Sequence, residues 1–128
     1  MDFKATGTFE VNIIAQTDRE IPMLFRMTID KIFKGDIVGV TQGQMLSAKT
    51  TDPKSAGYVA IERVEGVLQG KKGSFVLQHS GIMNKGVPSL TIVVVPGSGT
   101  NELAGLSGEL SINITDGKHF YEFNYSLP

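Results

Sequence analysis

The sequence predicts an all-β protein, a closed eight-stranded antiparallel meander barrel of lipocalin-like general shape. Three observations carry this expectation. Apolar and polar residues alternate with a period of two almost throughout, and no helical period is sustained anywhere. The alternating stretches are joined mostly by short turns rich in Gly, Asp and Pro, as in a meander. At 128 residues the chain has material for one core, and a sheet of such strands keeps two exposed edges unless it closes on itself. Residues 1–128 are therefore expected to form a single β-barrel domain, with an open two-sheet sandwich as the alternative architecture.

In the first strand Phe3, Ala5, Gly7, Phe9, Val11 and Ile13 alternate with Lys4, Thr6, Thr8, Glu10 and Asn12, so the odd positions should face inward. Thr17 to Pro22 is a turn-rich break. In the second strand Met23, Phe25, Met27 and Ile29 alternate with Leu24, Arg26, Thr28 and Asp30. Gly35 and Asp36 offer a tight turn into a third strand, about Ile37 to Ala48. The polar connection Lys49 to Ala56, with Asp52 and Pro53, precedes a fourth strand from Gly57 to about Gln69. A hairpin of Gly70, Lys71, Lys72 and Gly73 then leads into a fifth strand, Ser74 to Met83. Asn84 to Pro88 reads as a turn, and Ser89 to Val95 as a sixth strand ended by Pro96. The seventh, about Leu106 to Thr115, turns Leu106, Leu110, Ile112 and Ile114 inward. Asp116 and Gly117 are the strongest hairpin signal in the chain. The eighth strand, Lys118 to Leu127, gathers His119, Tyr121, Phe123, Tyr125 and Leu127 on one side. Every proline is expected at a break.

Composition narrows the function classes. Hydrophobic residues are 41% and charged residues 20%, close to an average soluble protein. The longest apolar stretch, Ile92 to Val95, cannot span a bilayer, and Asp2, Lys4 and Glu10 argue against a signal peptide. The absence of cysteine excludes disulfides, thiolate zinc sites and a Cys nucleophile, and suits a cytoplasmic location. Net charge is -1 with no basic cluster beyond Lys71 and Lys72, so no nucleic-acid partner is expected. Two histidines forty residues apart make a poor metal set, and no metal or cofactor is expected. The Gly97-Ser98-Gly99-Thr100 stretch lacks the ending of a phosphate loop and reads as a structural turn.

Two stretches, Gly57-Tyr58-Val59-Ala60-Ile61-Glu62-Arg63-Val64 and Gly73-Ser74-Phe75-Val76-Leu77-Gln78-His79-Ser80-Gly81, resemble the signature of the bacterial domain-of-unknown-function family 3224, whose barrel is similar to allene oxide cyclase. The segment from Gly99 to Gly108 is similar to a Gly-Thr-Gly turn of cyclase-like and dirigent-like barrels, with Asn101 where Gly is usual and Leu103 where an aromatic is common. The resemblance implies an allene-oxide-cyclase-like barrel. No stretch matches the plant cyclase's catalytic positions, so the resemblance supplies neither substrate nor site residue.

Hairpin register places candidate site residues on faces. With Lys71 and Lys72 at the turn centre, Leu68 pairs with Phe75, Val64 with His79 and Glu62 with Gly81. Tyr58, Glu62, Val64, Leu68, Phe75, Leu77, His79 and Met83 then share the face with the larger side chains, which we assign to the interior. Glu62 and His79 become diagonal neighbours, either a general base with its orienting partner or a satisfied polar pair that fixes register. Tyr58 could anchor a ligand oxygen or simply pack. A turn centred on Gly35 and Asp36 pairs Ile29 with Gln42 and Met27 with Gln44, placing Lys31, Gln42 and Gln44 on the lumen face beside Met27 and Ile29. Such polar groups would suit a carboxylate or carbonyl, unless Lys31 snorkels to solvent.

The function expected from these residues is binding of a small, largely apolar molecule in the lumen, with Tyr58, Glu62, His79, Lys31, Gln42 and Gln44 as polar anchors. The alternatives are a cofactor-free isomerase or cyclase using Glu62 or His79 for proton transfer, and a structural module with a filled core. Val59, Ile61, Val76 and Ile82 on the second face, with the apolar sixth strand, predict a homo-oligomer, dimer or trimer, through residues 57–69, 74–83 and 89–95. Otherwise loop 97–105 would fold over that patch.

Overall fold

Side-chain alternation turns one face of every strand into a closed barrel, seen in a computed structural model that describes residues 2–16 and 21–128. The strands are β1 (Asp2–Ala15), β2 (Leu24–Gly35), β3 (Ile37–Lys49), β4 (Ala56–Leu68), β5 (Lys71–Asn84), β6 (Val87–Val94), β7 (Ser107–Thr115) and β8 (Lys118–Ser126). Each pairs antiparallel with the next, and β8 returns to β1. The expected break from Thr17 to Pro22 lies largely outside the described residues.

Three hairpins share one chemistry. Gln69-Gly70, Lys85-Gly86 and Asp116-Gly117 each have a left-handed first residue followed by a left-handed glycine, the dihedral pattern of a type I′ turn. The second lies within the expected turn from Asn84 to Pro88 and the third on the expected Asp116-Gly117, while the first departs from its expected centre. Between β4 and β5 the turn falls on Gln69 and Gly70, so Leu68 pairs with Lys71, Val64 with Phe75 and Glu62 with Leu77. Two lysines at positive φ would have been strained, whereas Gly70 accepts φ 85° freely. Each partner shifts by an even number of positions, so the faces survive and Glu62 and His79 are still diagonal neighbours.

The corner between β2 and β3 corrects the second expected register. Phe33 pairs with Gly39 and Lys31 with Thr41, one residue from the expected pairing, because the chain bends at Gly35 (φ 102°) and Asp36 leaves the β2–β3 ladder to bond β1. An odd shift flips a strand. Gln42 and Gln44 therefore lie opposite Asp30 and Thr28 on the outer wall and are exposed, while Thr41 is buried beside Lys31.

Pro88 also departs from expectation, since it stands inside β6 opposite Met83 rather than in a turn. In a two-residue hairpin the pair next to the flanking one exchanges no ladder hydrogen bonds, so the missing N–H points away from β5. That side faces a seam. Among the described residues β6 and β7 share a single ladder pair, Val93 with Glu109.

The two ends of the barrel differ. One is filled by Phe9, Phe33, Phe75, Tyr121, Phe123 and Tyr125, with Phe75 stacked on Phe123 at 5.7 Å and Phe33 edge-on to Tyr121 at 5.2 Å. Tyr121 accepts from the Ile37 N–H and donates to the Lys34 carbonyl, joining β8 to the β2–β3 corner. Segment 95–104 completes this end. It bonds the start of β5, where β6 has no residues, through Thr100 to Ser74, Ser98 to Val76 and Glu102 to Lys72, and it seats Leu103 in the core. It thus seals the filled end and leaves Val59, Ile61 and Ile82 exposed. At the other end Ile13, Met83, Leu90 and Ile114 are exposed.

Candidate functional site

Between the filled and open ends lies a charged group enclosed by the barrel wall. Glu62 on β4, Lys31 on β2, Thr41 on β3 and His79 on β5 are all buried, and Glu62 has no exposure. One carboxylate oxygen, Oε1, accepts from Lys31 Nζ at 2.9 Å and from His79 Nε2 at 2.7 Å. The other, Oε2, accepts from Thr41 Oγ1 at 2.9 Å, and Thr41 Oγ1 itself accepts from the Lys31 backbone N–H at 3.0 Å. The Lys31 ammonium also lies 4.9 Å from the centre of the Phe9 ring, a cation–π contact at the edge of the aromatic plug.

Gly43 makes this reach possible. It stands directly opposite Glu62, and a Cβ there would come within 2.7 Å of the Glu62 Cβ. Without one, the carboxylate can cross β3 to Lys31. Burial alone would push the Glu62 carboxyl up, but the His79 hydrogen bond and the Lys31 charge outweigh it and hold the pKa at about 2. An ionised Glu62 requires His79 Nε2 to be the donor, which leaves Nδ1 as the basic atom when the ring is neutral. The arrangement can orient an imidazole or lock four strands in register.

Above this group, toward the open end, Tyr58 lies flat over Gly81. A Cβ on Gly81 would meet the ring at 2.3 Å, so the missing side chain fixes where the tyrosine sits. Its ring centre is 6.4 Å from that of His79. Burial, with the Glu62 charge second, raises its pKa, so the hydroxyl keeps its proton. Tyr58 lines a cavity of about 350 Å³ at the barrel mouth, whose other walls include Met27, Met45, Met83, Pro88 and Leu90. A larger depression of about 500 Å³ lies beside Leu24, Leu46 and Val59, outward-facing residues remote from the charged group.

The structure thus gathers Tyr58, Glu62, His79 and Lys31 and disperses Gln42 and Gln44. Lys31 does not snorkel to solvent; it is 4% exposed and ion-paired. Two residues escaped sequence reasoning. Thr41 was masked by the one-residue register error. Ser47, opposite Tyr58, lines the same cavity and has a buried Oγ without a hydrogen-bond partner among the described residues. A serine at an inward position of an apolar strand end is the signal that could have found it. Among the described residues no three His, Cys, Asp or Glu side chains converge as a metal site, and no helix is long and apolar enough to cross a membrane.

Fold and site together define a closed antiparallel β-barrel with one filled end, one apolar mouth and an enclosed ion pair between them. The family model for a protein of unknown function, DUF3224, matches residues 5–125, and the chain belongs to that family. It is similar to a crystal structure of a DUF3224 protein of unknown function from Shewanella oneidensis MR-1, with 46% identity, TM-score 0.95, and coverage of 100% of this chain and 98% of that one. No curated protein matches.

Proposed function

We propose that this barrel binds a small, largely apolar molecule in the cavity at its mouth, with Tyr58 as the polar anchor. The observation that carries the reading is the cavity of about 350 Å³, walled mainly by methionine, leucine, isoleucine, alanine and proline side chains with Tyr58, Ser47, Ser89 and Lys49 as its polar members, and its volume falls at the small end of ligand pockets. A filled structural module would need neither the empty mouth nor the exposed aliphatic rim. In this reading Glu62, His79 and Lys31 form the rigid floor beneath Tyr58 rather than touching the ligand. A fluorescent probe of apolar cavities should bind saturably, and Met45→Trp, which fills the cavity, should abolish the signal while circular dichroism stays unchanged. No saturable binding by the wild type would sink the reading.

A cofactor-free isomerase or cyclase is the second reading, supported by Glu62 orienting His79 through Nε2 with Tyr58 above it. Loss of turnover in His79→Ala with binding kept would favour it. The exposed Val59, Ile61 and Ile82 support self-association through the outer wall of β4 and β5, and the cysteine-free sequence supports a cytoplasmic setting.

A further inference from the structure

We infer that the mouth cavity selects an uncharged oxygen-bearing molecule, a ketone, aldehyde or alcohol on an apolar body, and holds its oxygen between the Tyr58 and Ser47 hydroxyls. The inference rests on the binding reading above and specifies its ligand. Tyr58 and Ser47 are directly opposed on β4 and β3, both line the cavity, and the remaining walls are almost wholly apolar.

Both hydroxyls are unspent. Ser47 Oγ is enclosed yet has no hydrogen-bond partner among the described residues, and Tyr58 makes no hydrogen bond among them either. Leaving an enclosed hydroxyl unpaired is unfavourable, so a ligand oxygen within reach of Ser47 Oγ gains a hydrogen bond there. Two O–H donors lining one mainly apolar cavity suit a carbonyl, and an alcohol can accept from one and donate to the other.

Charge argues against a carboxylate in the same place. The interior cation, Lys31, is already bound to Glu62 and lies beneath Tyr58, and the Glu62 charge reaches Tyr58 strongly enough to help keep its hydroxyl protonated. An anion at Tyr58 would be stripped of water beside the Glu62 charge, while the buried Lys31 ammonium is already paired. Lys49 also lines the cavity, two residues beyond Ser47 on β3, with its ammonium 5.1 Å from the centre of the Phe25 ring, so a carboxylate held by Lys49 at the rim is the outcome the test must separate.

The test is displacement of the cavity probe by decane, decanol, a decanone and decanoate at pH 8. The decanone and decanol should displace it at least tenfold more readily than decanoate. Tyr58→Phe and Ser47→Ala should each cut the advantage of decanone over decane by roughly two- to tenfold, the range of one neutral hydrogen bond, with the ratio read within each variant so that any change in probe affinity cancels. Decanoate binding as tightly as decanone, with Lys49→Gln removing that affinity, would overturn the inference and place the head group at the rim. An unchanged preference in both hydroxyl variants would overturn it as well. In either case the probe still binds, whereas failure of the probe itself would refute the binding reading.

Discussion

Replacing Glu62 by Gln tests whether the enclosed ion pair holds the barrel together. The substitution keeps the shape and removes the anion, so the Lys31 ammonium, 4% exposed, loses its counter-charge. Breaking a buried pair from one side costs about 3–5 kcal/mol, because the surviving charge has no water to return to. A domain of this size has a total stability of about 5–15 kcal/mol, so the loss is a large share of it and corresponds to roughly 10–20 °C in Tm. The wild-type pH dependence supplies a second measure. Folding lowers the Glu62 pKa from 4.5 to about 2, so its contribution is complete above pH 4.5 and is lost as pH falls toward 2. That difference is worth about 3 kcal/mol. Urea unfolding followed by far-ultraviolet circular dichroism and by tyrosine fluorescence, with three tyrosines and no tryptophan in the chain, reads both quantities. In Glu62→Gln the acid-dependent loss between pH 4.5 and 2 should shrink by that amount. A double variant, Lys31→Met with Glu62→Met, should lose at least about 2 kcal/mol less than the sum of the single changes, since it leaves no orphan charge. A Glu62→Gln protein within about 0.5 kcal/mol of wild type at pH 7, with an unchanged acid slope, would refute the reasoning.

Gly43→Val places carbon within 2.7 Å of both the Glu62 Cβ and the Ile61 carbonyl, and should cost about 2–3 kcal/mol in urea unfolding; a neutral result would mean Glu62 does not need the gap. Gly81→Ala should displace the Tyr58 ring and weaken probe binding more than it weakens folding, and equal probe affinity would argue that Tyr58 is not part of the cavity. Ile61→Glu should turn an assembly into a 13.8 kDa species in sedimentation, while a wild type already at that mass would remove the proposed self-association.

The period-two alternation by itself determined the class, the strand count and the inward faces of β1, β2, β7 and β8, whereas on β4 and β5, where both faces carry aliphatic residues, the larger side chains marked the inward face: Val64, Leu68, Phe75 and Leu77 are buried and Val59, Ile61 and Ile82 exposed. Tyr58, Glu62 and His79 were legible on one face for the same reason, even with the turn misplaced by an even shift. On β3 the pattern misleads. Val38, Val40 and Leu46 are exposed, while inward-facing Gly39 and Gly43 leave room for the facing strand and for Glu62. Local hydrophobicity cannot show that a position must be small because a carboxylate from the next strand crosses it. The pairing of Lys31 with Glu62, the orphan hydroxyl of Ser47 and the seam beside Pro88 depend likewise on contacts between strands. Only closure of the barrel decides them, since closure fixes which side chains share a layer and how far each can reach.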